Sequence, residues 1–117
     1  MRNGPAAISA KTEEFIELNI GSPLKVSDLA SHAHLSLFHF CRLIRAQTGM
    51  TPKMLLTTIR MDRARLLLGT TDLGVKQVAA SVGIHLSTFE RRFRDFCGRS
   101  PAEYRRAARP TDITPAM

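Results

Sequence analysis

Between Gly83 and Arg94 the side chains sort by helical period. Phe89, Phe93 and Phe96 recur at i, i+4 and i+7, and Ser87, Glu90, Arg91 and Arg94 at i, i+3, i+4 and i+7 on the opposite face. This pattern predicts an α-helix with an aromatic side for a core and a polar, cationic side open to a partner. It occurs twice. A shift of 49 residues carries Val26, Ala30, Phe40, Arg42, Arg45, Gly49 and Pro52 onto Val75, Ala79, Phe89, Arg91, Arg94, Gly98 and Pro101, so the chain reads as two copies of one helical unit.

Around this repeat the other elements follow in order. Ile8, Phe15 and Leu18, with Ile16 and Ile20 beside them, predict a support helix over 8–19 that Gly21, Ser22 and Pro23 end. Val26 to Ala33 reads as a short helix with Val26, Leu29 and Ala30 inward. The chain then turns at His34-Leu35-Ser36, where Ser36 can cap the next helix by accepting from an orphan backbone N–H. That helix, about 36–48, is expected to bury Phe40, Leu43 and Ile44 and to stop at Gly49. A short helix, a tight turn and a second amphipathic helix make a helix-turn-helix over about 26–48.

Thr51 as N-cap and Pro52 at the first helical position open a connecting helix over about 52–68. Leu55, Ile59, Leu66 and Leu56, Ala64, Leu67 give it a broad apolar surface, Arg60, Asp62, Arg63 and Arg65 lie between as polar positions, and Gly69 ends it. At the helical rise its length is roughly 25 Å, enough to hold two units at a nearly fixed spacing. The second helix-turn-helix spans about 75–97, with Gly83 at its turn and Gly98 at its end, and Ser100-Pro101 caps a last short helix carrying Tyr104, Arg105 and Arg106. The expected fold is all-α, with two helix-turn-helix subdomains joined by a long connecting helix and about seven helices. A flexible leader (1–7), a domain at 8–109 and a flexible tail (110–117) complete the division.

Composition narrows the partner. The 117 residues carry 17 Lys and Arg against 10 Asp and Glu, a formal charge of +7, and from Arg91 to Arg109 only Asp95 and Glu103 interrupt a run rich in arginine. A basic face points to an anionic polymer or surface. There is neither a secretory signal nor a membrane-length apolar run, which points to the cytosol. Cys41 and Cys97 form no C-x-x-C and no zinc-finger spacing, so both are expected as reduced thiols. His32, His34, His39 and Cys41 do not converge on tetrahedral metal geometry. Phosphate loops, H-E-x-x-H and Gly-x-Ser-x-Gly are all missing, so no cofactor, metal or catalytic centre is expected.

The residues Val78-Ala79-Ala80-Ser81-Val82-Gly83-Ile84, Phe89-Glu90-Arg91-Arg92-Phe93-Arg94, Gly98, Ser100-Pro101 and Tyr104-Arg105 resemble the signature of the AraC/XylS-family DNA-binding domain, and the resemblance covers about residues 8–108. It implies that each helix-turn-helix enters a major groove, that the connecting helix sets their spacing, and that the chain recruits or blocks RNA polymerase. It also places a reading residue at Arg42. Three departures stand out: His34 occupies a turn position where Gly is usual, Gly83-Ile84 replaces Gly-Phe, and the second turn is one residue shorter than in many relatives.

On double-stranded DNA the outward stripes divide into two sets. Leu37, Phe38, Cys41 and Arg42 of the first copy, and Leu86, Ser87, Glu90 and Arg91 of the second, are the candidates for base edges, with Arg42 and Arg91 placed to pair bidentately with guanine. Ser36, Arg45, Lys53, Arg94, Arg99 and Arg105 are the candidates for phosphates. Several positions keep two readings. Phe38 either touches a thymine methyl or packs on the core as a staple. Glu90 either accepts from cytosine N4 or pairs with Arg94. Cys41 contacts DNA, is open to oxidation, or is a tolerated small residue, and Leu37 and Leu86 can simply close the turns.

The expectation is a sequence-specific, double-stranded DNA-binding transcription regulator of bacterial type. It inserts recognition helices at about 36–48 and 86–97 into successive major-groove segments, binding as a monomer. Two alternatives remain: a basic helical interaction module for a protein or RNA partner, and the DNA-binding part of a DNA-repair enzyme. The latter needs a cysteine-bearing catalytic domain outside this stretch.

Overall fold

The computed structural model describes residues 6–109. Among them seven helices follow one another: α1 (Ala6–Leu18), α2 (Val26–His32), α3 (Leu37–Thr48), α4 (Pro52–Thr70), α5 (Val75–Ser81), α6 (Leu86–Cys97) and α7 (Pro101–Ala108). Among the described residues there is no strand. Helix α1 opens inside the stretch expected as a leader; the rest of that leader and the tail 110–117 lie outside the described residues. The chain divides into two units, one up to Arg60 and one from Met61, and α4 runs from the first into the second.

In the first unit Ile16, Leu29, Ala30, Phe40, Ile44, Leu55 and Leu56 form the core, with Phe15, Leu24, Val26 and Ile59 packed at its edge. Fully burying each large apolar side chain stabilises the unit by about 1.5–3 kcal/mol. The backbone N–H of Ser9 donates to Gln47 Oε1 at 2.9 Å, tying α1 to α3. His32 stacks on Phe15 with ring centroids 4.0 Å apart.

The second unit is built round Phe89 and Phe93, both fully buried with Met61, Leu68, Val78 and Val82. Their rings lie 5.6 Å apart, and Tyr104 meets Phe93 edge-on at 5.5 Å and 76°. Such tilted and edge-to-face pairs suit the charge distribution of aromatic rings.

Both helix-turn-helix turns close in the same way. Leu35 N donates to Ala30 O at 3.1 Å and His34 N to Ser31 O at 3.0 Å; Ile84 N donates to Ala79 O and Gly83 N to Ala80 O, both at 3.0 Å. This is the Schellman arrangement, which needs a left-handed residue just past the helix. His34 supplies it at φ 60° and Gly83 at φ 76°. Helices α3 and α6 both end on left-handed glycines, Gly49 and Gly98.

Several expectations are corrected. Leu18 is 76% exposed and Leu66 57%. Ile16 and Ile20 face inward, as do Ala64 and Leu68; a residue midway between each pair is about 200° round the helix and therefore faces out. Leu43 is only half-buried. Phe96 is partly exposed, with the Arg65 guanidinium 5.6 Å above its ring. Arg60, expected among the surface charges, is buried and donates to Ser22 O at 2.7 Å.

Gly69 does not end α4, which continues to Thr70. The last carbonyls of the helix have other partners: the Thr70 hydroxyl donates to Leu66 O, the Thr71 hydroxyl to Leu67 O, and Arg105 Nε to Leu68 O at 3.0 Å. With those orphan acceptors satisfied, no left-handed glycine is required there.

Candidate nucleic-acid interface

Helices α3 and α6 are each fixed from behind by aromatic or branched side chains. On α3 the anchors are Phe40 and Ile44; on α6 they are Phe89 and Phe93. The opposite faces are open. Leu37, Phe38, Arg42 and Arg45 are exposed on α3, and Ser87, Glu90, Arg91 and Arg94 on α6. Cys41 and Leu86 are half-buried at the margins of these faces. The fold thus turns the two candidate base-reading sets outward, with Cys41 and Leu86 at their edges.

The staple reading of Phe38 does not hold. Its ring is 72% exposed, and its neighbour is the Arg42 guanidinium, whose Cζ lies 5.6 Å from the ring centroid. A Phe-x-x-x-Arg spacing on one helix face could have signalled this contact, because positions four apart are neighbours. For Glu90, no ion pair joins it to Arg94 among the described residues; the ion pairs found there are Arg65–Asp62 and Arg109–Asp72.

The helix starts differ. Ser36 Oγ accepts from His39 N at 3.1 Å, capping α3, whereas His85 at the N-cap of α6 makes no such bond. Thr51 Oγ1 accepts from Met54 N at the start of α4, beside the exposed Lys53. Ser100 and Glu103 cap α7 reciprocally: Ser100 N donates to Glu103 Oε1 at 2.9 Å and Glu103 N to Ser100 Oγ at 3.1 Å. These bonds, the backbone one first, hold the Glu103 carboxyl below the usual glutamate range, helped by Arg94 and Arg106.

Among the phosphate candidates Arg45, Lys53, Arg94 and Arg99 are exposed, as is Ser36. Arg105 is not available in the same way. Its guanidinium donates to Leu68 O and to Thr71 O at 3.1 Å, joined there by Arg109, which donates to Thr71 O at 2.7 Å. Arg105 of α7 and Arg109 just past its end therefore complement the negative C-terminal end of α4. Sequence periodicity missed this because it shows which way a side chain faces and not what lies opposite. Arg106, which it left out of the phosphate set, is exposed.

Both cysteines are free thiols. Burial raises Cys97 above the usual thiol value, against the opposing charge of Arg65. Among the described residues no three His, Cys, Asp or Glu side chains gather as a metal site, and no helix is long and apolar enough to cross a membrane.

Comparison with known proteins agrees with this geometry. A family model described as a helix-turn-helix domain matches residues 29–107. The HTH-type transcriptional regulator YfiF of Bacillus subtilis is 30% identical over 93% of this chain, which spans 35% of that protein. The transcriptional activator NphR of a Rhodococcus species is 36% identical over 82% of the chain, which spans 29% of it. The chain thus spans about a third of the length of these curated relatives. Among solved structures, the DNA-binding domain of AdpA in complex with a target DNA is 31% identical, with a TM-score of 0.83 over 92% of this chain and 97% of that one. The C-terminal domain of AraT, a response regulator from Geobacillus stearothermophilus, is 30% identical, with a TM-score of 0.80 over 86% and 84%. With the repeated helix-turn-helix, its Schellman turns and these matches together, the chain belongs to the AraC/XylS family, whose helix-turn-helix domain it carries.

Proposed function

We propose that this chain is a sequence-specific, double-stranded DNA-binding transcription regulator, reading the major groove with α3 and α6. The observation that carries this is the matched pair Arg42 and Arg91. Each is exposed on a helix whose other side is locked into a core by two buried side chains. Rigid anchorage behind an exposed arginine is what bidentate guanine recognition requires. Support also comes from the AdpA domain, which is similar over nearly its whole length and was solved on a target DNA.

Arg42 and Arg91 read bases, together with neighbours from Leu37, Phe38, Cys41, Leu86, Ser87 and Glu90. Ser36, Arg45, Lys53, Arg94 and Arg99 hold phosphates. Two unlike helices in one chain need no palindrome, so a single chain takes an asymmetric site with elements about one helical turn, roughly 34 Å, apart. The setting is the bacterial cytoplasm, and RNA polymerase is the partner through which transcription is altered.

The test is selection from a randomised duplex library at about physiological salt. Two short unlike elements should emerge, and Arg42→Ala and Arg91→Ala should each relax one of them. If binding falls steeply with salt while no sequence is enriched, the affinity is only phosphate electrostatics and the reading fails.

A further inference from the structure

The two reading helices share a register but differ in residue type at their second position. Phe38 on α3 corresponds to Ser87 on α6, while Arg42 corresponds to Arg91. Only the first arginine therefore has an aromatic ring four residues before it. Its guanidinium carbon lies 5.6 Å from the centre of that ring, which is 72% exposed. A guanidinium held over a ring keeps its in-plane N–H fork free while losing rotamer freedom. Helical side chains lean toward the N-terminus, so an arginine lying over the residue four before it carries its head to the first turn of α3. That is the end a recognition helix presents to base edges.

We propose that Phe38 and Arg42 act as one unit that reads a thymine–guanine step. The Arg42 fork pairs with guanine O6 and N7, and the Phe38 ring both positions that fork and covers the 5-methyl group of the adjacent thymine. Exposure is thus functional for Phe38: the ring awaits a methyl group that water cannot replace. In α6 the serine offers neither stacking nor methyl contact, so Arg91 reads guanine from a less ordered start. The proposal rests on the DNA-reading function above and sharpens it into a base preference for one helix.

The experiment uses the full chain and the duplex selected by the library. Affinities are compared for the wild type, Phe38→Ala and Phe38→Leu on three duplexes: the selected one, one with the thymine replaced by deoxyuridine, and one with the guanine replaced by adenine. For the wild type, deletion of the methyl should weaken binding about three- to four-fold. Phe38→Ala should abolish that sensitivity and lower the guanine preference by a further two- to five-fold, roughly the size of an exposed cation–π contact. Phe38→Leu should keep part of the methyl sensitivity and lose the guanine gain. Far-ultraviolet circular dichroism checks that both variants fold. An α3 element without a thymine–guanine step, or equal methyl sensitivity in wild type and Phe38→Ala, overturns the proposal while leaving DNA reading intact. A wild type that enriches no sequence overturns both.

Discussion

Arg60 Nη2 donates to the Ser22 carbonyl at 2.7 Å from a side chain that is only 8% exposed. It joins α4 to the loop after α1, residues 38 apart in sequence, within a unit whose remaining ties are mainly apolar. Arg60→Met keeps much of the stem's packing and removes the charged donor, so the unit should lose about 2 kcal/mol. Urea unfolding should show a lower midpoint with an unchanged slope. A loss below about 0.5 kcal/mol would mean that water replaces the arginine without cost.

His34 holds a left-handed conformation that Gly83 holds in the second copy. A side chain there costs about 1–2 kcal/mol, part of which glycine gives back through its freer unfolded chain. His34→Gly should therefore raise stability by about 0.5 kcal/mol, and Gly83→Ala should lower it by about 1 kcal/mol. Thermal melts of the two variants check the pair, and a stabilising Gly83→Ala would show that the second turn is not closed as described.

The capping asymmetry gives a third paired outcome. Ser36→Ala removes the hydroxyl that accepts from His39 N and should cost about 1 kcal/mol. His85→Ser places a hydroxyl where α6 has no side-chain cap and should gain about 0.5–1 kcal/mol. Both effects are read by chemical unfolding. A neutral His85→Ser would indicate that solvent already satisfies those N–H groups.

Local grammar was the legible part of this chain. Ser36, Thr51 and Ser100 as caps, and Gly49 and Gly98 as helix ends, act through bonds within a few residues, so their types announce them. The outward faces of α3 and α6 were legible too, from helical periodicity. What a side chain meets across the core was not. Arg60 and Arg105 look like any helix-surface arginine in sequence, yet each finds a carbonyl 37 or 38 residues away. Phe38 looked like a staple because an aromatic near a helix start usually has a core beneath it, and only packing shows that the core is already filled by Phe40 and Ile44.

Arg105 and Arg94 should separate by salt dependence. Arg94 is exposed and assigned to phosphate, so Arg94→Ala should reduce the slope of log affinity against log salt by about 0.9 with little change in stability. Arg105 donates to Leu68 O and Thr71 O, so Arg105→Ala should leave the slope unchanged and lower stability by about 1.5–3 kcal/mol. Binding titrations at several salt concentrations, beside unfolding curves, decide it. The opposite pattern would return Arg105 to the phosphate set.

The capping box of α7 should be visible in acid. Glu103 accepts from the Ser100 N–H, and this bond, then the Ser100 hydroxyl, then Arg94 and Arg106, favour its charged form. Its folded-state pKa is lowered, so the unfolded chain takes up the proton first. The stabilisation is fully present above the usual glutamate range and is lost as pH falls through that range to the lowered value. Side-chain carbon shifts followed by NMR should give Glu103 a midpoint below the usual range. In Ser100→Ala the midpoint should move only part of the way back, since the backbone N–H at that position remains while the hydroxyl is gone. An unshifted midpoint in the wild type would show that the box is open in solution, and α7 would then hold to the second unit through buried Pro101, Tyr104 on Phe93 and Arg105 on α4.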